Sequence, residues 1–262
     1  LQQHCQAWLQ QDSEGTQLPP CSGWLALVTP NRQYPLGTRW SQQRRLQWLQ
    51  ACDARSLIIE DDYDNDFVYQ GKPGLPLMQL ARITGKGRVC LLGSLSKMMF
   101  RGLRLGYLVV PPELIDSVQR TQQQLGNAAS LAIQPAVTDF MINGELARHL
   151  NRMRRLYRQR RDQMHQLLSQ HLADSLQWQL PASGMHILAR FAEHPELPPH
   201  IDSRLADQLH QQGIGLNLLA NHYCQPENAP KGLILGFSGS HEHIQRQIIT
   251  AIARSWCTLL KQ

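Results

Sequence analysis

Two clusters of polar side chains directly follow short apolar segments that have the composition of buried strands. The segment SLIIE ends in Glu60 and runs directly into two more acids and a phenol: Asp61, Asp62 and Tyr63. After RVCLLG come two hydroxyls and an amine: Ser94, Ser96 and Lys97. Ligands of open α/β sheets bind just beyond the carboxyl ends of the strands, so we expect both clusters at one edge of a sheet. Together with Arg104, they supply groups that hold a phosphate and a carbonyl.

The elements that position these clusters are four apolar segments: WLALV (24–28), SLIIE (56–60), RVCLLG (88–93) and LGYLVV (105–110). Residues 41–54 have the pattern of a helix with Ser41 as its N-cap. Apolar strands that alternate with helices predict an α/β layered sheet that is mostly parallel. Only 11 residues (94–104) separate RVCLLG from LGYLVV, fewer than a parallel crossover needs. LGYLVV is therefore expected to run antiparallel to its neighbour.

A long helix is predicted from Glu145 to about Leu168, because apolar residues recur there at three- and four-residue steps. Its other faces carry seven arginines between Arg148 and Arg161. Short strands and helices follow, which indicates a smaller α+β domain and a division of the chain into residues 1–150 and 151–262. The remaining predicted elements are helices over residues 1–10, 113–127, 130–143, 202–212 and 241–260, and strands in SLQWQL, GMHILARF and LILGFS.

The composition is that of a globular protein with a real core, since 42% of the 262 residues are hydrophobic. No stretch reaches the roughly 18 consecutive apolar residues of a membrane helix, so no membrane association is expected. The six cysteines form no CxxC pair, which favours reduced, buried thiols in a cytoplasmic protein. The net charge of +6 is compatible with nucleic-acid binding, but much of the excess lies in the arginine-rich helix.

Three longer motifs carry a resemblance to a known family: TPNRQYPLG, IIEDDYDNDFVY and LGSLSKMMFRGLRLGYLVVPP. Together they resemble the aminotransferase domain of MocR-type regulators, a branch of the GntR transcription factors that is similar to 2-aminoadipate and kynurenine aminotransferases. The resemblance covers residues from about 24 to about 250 and implies pyridoxal 5′-phosphate (PLP) as cofactor. It implies fold type I of the PLP-dependent transferases. Residues 1–150 then form the later part of the PLP-binding large domain, with a partial, mostly parallel sheet, and residues 151–262 form a small α+β C-terminal domain.

The resemblance also implies roles for individual residues. Lys97 is similar to the lysine that binds the cofactor covalently, because the PLP aldehyde requires an amine. Asp61 is similar to the carboxylate that keeps the pyridine nitrogen protonated, so that the ring can accept electrons. Tyr63 is similar to the donor to the ring oxygen. Three further residues are similar to those that hold the phosphate through hydroxyl groups and a guanidinium: Ser94, Ser96 and Arg104.

Three positions depart from the usual pattern of class I and II aminotransferases. Tyr34 replaces the asparagine of an Asn-Pro-x-Gly turn, a change that the MocR branch shares. Arg101 stands where proline is usual. Ile234, in LILGFS, occupies the place at which aminotransferases commonly have an arginine that grips the substrate carboxylate. Without this arginine an amino acid would be oriented poorly, and misplacement is costly to the rate.

A large part of the expected protein is missing upstream of WLALV. In the family, roughly half of the large domain precedes this strand, including the glycine-containing phosphate loop and the aromatic ring that stacks on the cofactor. The DNA-binding winged helix of MocR-type regulators lies still further upstream. The sequence is therefore expected to be a C-terminal piece of a longer protein or the product of a truncated reading frame, and DNA a partner only through the upstream domain.

Several features also have a second interpretation. Lys97 can be a surface lysine at a helix start, and Glu60-Asp61-Asp62 can be a solvated turn or a set of Mg²⁺ ligands. The arginine-rich helix can contact nucleic acid, although arginine stems also cover apolar surface. His241-Glu242-His243 lacks the spacing of a helical zinc pair and is expected to begin a helix. The role of His186 is open between a structural and a catalytic one.

Three functional hypotheses follow. The first is an aminotransferase-like PLP domain that senses the cofactor or an amine within a MocR-type transcriptional regulator. The second is a free-standing aminotransferase that transfers an amino group between an amino acid and a 2-oxo acid, with Lys97 as general base. The third is an inert remnant that only dimerises or packs. The expected partners are a small-molecule amine or amino acid and a second copy in a homodimer that shares its sites, with no metal.

Overall fold

The computed structural model describes residues 23–126, 129–192 and 200–260. The predicted helix over residues 1–10 lies outside them. The chain forms two compact units that interleave along the sequence. The first unit comprises Leu1–Gln33, Thr38–Asn65 and Pro73–Asn143, and the second Tyr34–Gly37, Asp66–Lys72 and Gly144–Gln262. The division into a PLP-binding part (1–150) and a small C-terminal domain (151–262) stays a prediction.

The first unit contains a four-stranded sheet whose strands follow each other in chain order: β1 (Leu25–Val28), β2 (Leu57–Asp62), β3 (Val89–Ser94) and β4 (Gly106–Val109). The pairs β1–β2 and β2–β3 are parallel, and β3–β4 is antiparallel. Both predictions about strand direction are thus confirmed. The short link between β3 and β4 leaves no room for a crossover and reverses the chain instead.

The helices of the first unit are α1 (Gln42–Ala51), α2 (Leu77–Thr84), α3 (Leu95–Met98), α4 (Ile115–Leu125) and α5 (Gln134–Ile142). Ser41 caps α1 as predicted, since its hydroxyl accepts a hydrogen bond from the Arg44 amide at 3.2 Å. Helix α2 had no counterpart among the predicted elements. It begins after Pro76 and ends at Gly85, whose φ of 65° suits glycine.

One core cluster of the first unit lies on one face of the sheet, and a second contains Leu95, Leu103, Leu105 and Val137. Helices α1 and α2 cover this face with side chains such as Trp48, Leu49 and Leu77, which pack against Ile58 and other strand residues. Successive side chains of a strand point to opposite faces, so Glu60 of β2 shares the face of Ile58, whereas Asp61 lies on the opposite face. The sheet therefore separates Glu60 from Asp61.

The second unit is an α+β structure, as predicted. Its antiparallel sheet has the order β5 (Leu176–Trp178), β6 (His186–Phe191) and β7 (Gly232–Gly236). Its helices are α6 (Glu145–His171), α7 (Ile201–His210) and α8 (Glu242–Leu259). Phe191 stacks on Trp256 of α8 with ring centroids 4.8 Å apart, and the Trp178 indole donates to His165 of α6 at 2.9 Å. One face of the sheet thus packs against α6 and α8.

Four of the seven arginines of α6 donate hydrogen bonds to carbonyl groups of their own unit. Arg154 donates to the Asp66 carbonyl, Arg158 to Tyr69, Arg160 to Ser238 and Arg161 to Pro181. The Arg161 guanidinium also lies 5.0 Å from the centre of the Tyr69 ring. These contacts favour the structural interpretation of the helix over a nucleic-acid contact.

The smaller predictions have mixed outcomes. Helix α8 begins at Glu242 with His241 as its cap, as expected. No helix in the described part of the chain has the length and apolarity that crossing a membrane requires. Of the cysteines in the described ranges, Cys90 is buried and Cys52 half-buried, but Cys224 and Cys257 are exposed. The prediction of buried thiols was wrong for these two, because they lie in a surface turn and on the outer face of α8.

Candidate functional site

The two polar clusters lie side by side at the carboxyl edge of the first sheet. Strands β2 and β3 are parallel neighbours, and Asp61 is in register with Leu92. Strand β2 ends at Asp62 and β3 at Ser94, so each strand leads directly into its cluster. The two strands therefore end at the same edge of the sheet, as predicted.

Lys97 belongs to the short helix α3 that continues β3. Its Nζ atom lies 5.8 Å from the centre of the Tyr63 ring, which follows β2. A cation at this distance is attracted to the negative face of the ring. The contact joins the amine of one cluster to the phenol of the other, although the Lys97 side chain is itself exposed.

Asp61 is a half-buried carboxylate without a protein partner in the described part of the chain. Burial raises the pKa of its carboxyl, and the nearby charge of Asp62 raises it further. No described residue donates a hydrogen bond to Asp61 or forms an ion pair with it. A carboxylate in this position gains stability from a cationic N–H donor, so a protonated ring nitrogen fits it.

The serines and Arg104 lie in the turn between β3 and β4. The Ser94 hydroxyl accepts a hydrogen bond from the Ser96 amide at 3.3 Å, and this caps α3. Ser94 is paired with Gly106, the first residue of β4, so the turn brings Arg104 back to the level of Ser94. Arg104 itself has a φ of 50°, in the left-handed region. Ser94, Ser96 and Arg104 thus belong to one short turn, in which Arg101 and Arg104 are both exposed.

A buried ion pair beside Lys97 was not predicted from the sequence. Arg32 Nε lies 3.3 Å from Asp64 Oδ2, and the two side chains are only 6% and 4% exposed. Burial raises the pKa of Asp64 to about 7, although the charges of Arg32 and Lys97 lower it. The opposite charges in TPNRQYPLG and EDDYDND were the available signal. The sequence does not show that these two turns are buried against each other, so it could not predict which charges pair.

The other two acids of the first cluster, Glu60 and Asp62, accept hydrogen bonds from other residues of the protein. Glu60 is fully buried and accepts hydrogen bonds from the amides of Leu77 and Met78, at 2.9 and 3.0 Å, at the start of α2. Asp62 accepts from Asn31 Nδ2 at 3.2 Å. Burial raises the pKa of both carboxyls. Because Glu60 faces away from Asp61, a Mg²⁺ site built from all three acids is disfavoured.

The second unit contains three residues that the sequence analysis considered: Tyr34, His186 and Ile234. His186, at the start of β6, is buried, and its Nε2 lies 2.9 Å from the Pro35 carbonyl oxygen. The Tyr34 ring meets the His186 ring edge-on at 5.1 Å. Ile234 lies in β7, where it is 6% exposed. An aliphatic side chain therefore occupies the place that the resemblance gives to a carboxylate-binding arginine.

Comparison with known families decides the classification. The sequence model of the family "Aminotransferase class I and II" matches residues 16–232. This chain belongs to that family. Strand tips that present a lysine and an aspartate are consistent with this membership.

The curated relatives include transcriptional regulators. The chain is 35% identical over 236 residues to the probable rhizopine catabolism regulatory protein MocR of Rhizobium meliloti, covering 90% of this chain and 46% of the relative. It is 31% identical over 233 residues to the HTH-type pyridoxine biosynthesis transcriptional regulator PdxR of Corynebacterium glutamicum, covering 87% of this chain and 47% of the relative. The chain spans about half the length of these relatives. It is an aminotransferase-like domain homologous to part of the MocR-type regulators.

Solved structures establish the fold. The kynurenine aminotransferase of Pyrococcus horikoshii superposes with a TM-score of 0.77 at 22% identity, over 100% of this chain and 61% of that one. The multiple substrate aminotransferase of Thermococcus profundus gives 0.76 at 22% identity, over 92% and 58%. The chain therefore has the α/β fold of the PLP-dependent aminotransferases, fold type I, with a partial mixed sheet in its first unit.

Proposed function

We propose that this chain is the PLP-binding effector domain of a MocR-type, GntR-family transcriptional regulator. The observation that supports the cofactor site is the contact of Lys97 with the Tyr63 ring, beside the paired strand end that carries Asp61. The regulator assignment is supported by the similarity to MocR and PdxR over most of this chain.

The residues of the site fit PLP by their chemistry. The Lys97 amine would bind the aldehyde, the Asp61 carboxylate would accept a hydrogen bond from the ring nitrogen, and the Tyr63 hydroxyl would donate one to the ring oxygen. The hydroxyls of Ser94 and Ser96 and the Arg104 guanidinium hold the phosphate. PLP, when bound, supplies a ring that accepts electrons from the carbon that carries an amine. Asp61 supports this by keeping the ring nitrogen protonated, and burial strengthens its preference for such a partner.

The partners and location of the whole protein belong to the same proposal. The effector is a small-molecule amine or an amino acid, and the active form is a homodimer. DNA is bound by a further domain of the whole protein, as the names of the regulators imply for those relatives. We place the protein in the cytoplasm, where its cysteines stay reduced.

A free-standing aminotransferase is the second candidate, since the solved structures of this fold include enzymes that act on amino acids. Lys97 would then move a proton at the substrate carbon as general base. Ile234 makes efficient transamination less favourable, because an aliphatic side chain cannot grip a carboxylate.

Borohydride trapping tests the site directly. The full-length protein is incubated with PLP, reduced with borohydride, digested and mapped by mass spectrometry. A pyridoxyl label on Lys97 is expected; the Lys97→Ala variant should lose the label, and the control Lys86→Ala, which removes an exposed lysine, should keep it. A label on another lysine, or none, would contradict the proposal.

Two assays then distinguish a regulator from an enzyme. DNA binding that changes when PLP or an amine is added supports the regulator. Turnover of amino acids with 2-oxoglutarate supports the enzyme. A full-length protein that takes up no PLP at all would be an inert remnant.

A further inference from the structure

Three side chains of the first unit form a row of hydrogen bonds that ends next to Asp61, and we call them the clamp: Arg45, Asn31 and Asp62. Arg45 Nη2 donates to Asn31 Oδ1 at 3.0 Å, and Asn31 Nδ2 donates to Asp62 Oδ1 at 3.2 Å. Arg45 and Asn31 are both buried. The clamp therefore connects helix α1, through the turn after β1, to the end of β2.

The hydrogen bonds of the clamp can run in one direction only. A guanidinium has no acceptor, so Asn31 must accept from Arg45 with its oxygen and turn its nitrogen towards Asp62. The Asp62 oxygen that receives this hydrogen bond therefore carries no proton. The second Asp62 oxygen accepts from Asn65 Nδ2 at 3.4 Å. Both oxygens of Asp62 are thus acceptors, as in an ionised carboxylate.

Arg45 fixes the clamp to the main chain. Its guanidinium also donates to three backbone carbonyl oxygens, those of Pro30, Trp40 and Leu75, at 2.6, 3.3 and 3.0 Å. A Cβ atom on Gly74 would lie 2.5 Å from Asn31 Oδ1, so only glycine leaves room for this side chain. The Asn31 amide is therefore held between Arg45 and Gly74 and has little freedom to turn round.

The charged groups around Asp62 act in opposite directions. Burial raises the pKa of the Asp62 carboxyl, whereas the hydrogen bonds from Asn31 and Asn65 and the charge of Arg45 lower it. The other charged neighbours of Asp62 are acids: Glu60, Asp61 and Asp64. Because the clamp supplies the donors that an ionised Asp62 requires, a negative charge stays beside Asp61. A cation that binds to Asp61 is then attracted by two carboxylates rather than by one.

We propose that Arg45, Asn31 and Asp62 are positioning residues of the cofactor site, which keep a negative charge beside Asp61 and so strengthen its hold on the protonated ring nitrogen. This rests on the proposed function and adds to it a second carboxylate that does not touch the cofactor. Charges several ångströms apart at a partly exposed site are screened in part, so the proton affinity of the ring nitrogen should gain roughly 3- to 10-fold.

The proton on the ring nitrogen is the quantity to measure. The full-length protein is loaded with PLP that carries an isotope label at the ring nitrogen, and the NMR chemical shift of this nitrogen is followed against pH. Asp62→Asn removes the charge and should lower the proton affinity roughly 3- to 10-fold, so the midpoint of the titration moves to lower pH. Asn31→Leu should move it in the same direction by less, because Asp62 then has one donor fewer. The control Asp116→Asn removes an exposed acid and should not move it.

Two results would overturn the proposal. A purely structural clamp would leave the midpoint unchanged in both variants and lower only their stability, and a midpoint that moves to higher pH in Asp62→Asn would show the wrong sign. Borohydride trapping separates this from a failure of the cofactor site. If Lys97 is labelled in the unaltered protein but the midpoint does not move in the variants, only the clamp is wrong. If Lys97 is unlabelled in the unaltered protein, the cofactor site and the clamp are both wrong.

Discussion

Two regions of the molecule, one in each unit, contain polar groups in opposite settings. In the first unit, the acids at the end of β2 and just beyond it are buried or half-buried, and burial raises the pKa of Glu60, Asp61, Asp62 and Asp64 alike. In the second unit, Tyr34, Asn217 and His222 are joined by hydrogen bonds and remain accessible. Buried charge is costly unless a partner compensates it, whereas accessible hydrogen bonds cost little. The first region is therefore suited to a charged cofactor, whereas the second requires no charged partner.

The largest expected effect is the pH dependence of stability at Asp64. Its pKa rises from a usual 3.8 to about 7 on folding, so the folded state keeps a proton that the unfolded chain has released. The resulting stabilisation is complete below pH 3.8 and disappears as the pH rises through about 7. The contribution of Asp64 to the free energy of unfolding should fall by at most about 3 kcal/mol between about pH 5 and about pH 8.

The Asp64→Asn variant tests this sign, because asparagine mimics the protonated acid. Denaturant unfolding should show the variant as the more stable protein already at about pH 5, and the difference should widen by at most about 3 kcal/mol at about pH 8. The exposed Asp116→Asn serves as control and should show no such pH-dependent difference. A variant that is less stable at the higher pH would mean that the attraction of Arg32 outweighs burial.

Glu60→Gln should have the next largest effect, on the stability of the first unit. Each oxygen of the Glu60 carboxylate accepts a hydrogen bond from one backbone amide, that of Leu77 or that of Met78. Glutamine has one acceptor oxygen, so one buried amide loses its partner, which costs about 2 kcal/mol of unfolding free energy. Denaturant titration should show this loss for Glu60→Gln and none for Glu113→Gln, whose side chain is 56% exposed. Equal stabilities would show that the carboxylate does not hold α2.

The sequence could predict what depends on local pattern. The position of the Asp61 and Lys97 clusters at one sheet edge followed from parallel strands that end in polar clusters, and the reversal of β4 followed from a short connection. The Arg32–Asp64 pair and the contact of Tyr34 with Asn217 could not be predicted, because each depends on how distant turns are buried together. Helix α2 was also missed, although its buried residues Leu77, Leu80 and Ala81 have helical spacing.

Asp61→Asn should affect cofactor binding rather than folding. The change removes a carboxylate that has no partner in the described residues, so the free energy of unfolding of the apoprotein should not fall. It also removes the charge that the ring nitrogen requires, and PLP affinity should fall roughly 10-fold. Equilibrium dialysis measures the affinity, with Asp116→Asn as the unaffected control. Unchanged affinity would remove Asp61 from the cofactor site.

The smallest expected effect is that of His222→Ala on stability, and it sharpens the comparison between the units. His222 is exposed, and its hydrogen bond reaches only Asn217, so unfolding free energy should change by no more than about 0.5 kcal/mol. The same variant should keep the pyridoxyl label on Lys97, since His222 is outside the proposed cofactor site. Denaturant unfolding and borohydride trapping on one preparation give both results. If stability falls by several times the expected amount, the accessible hydrogen bonds of the second unit support the fold as strongly as buried ones, and the contrast between a region of buried charge and a region of accessible polar groups does not hold.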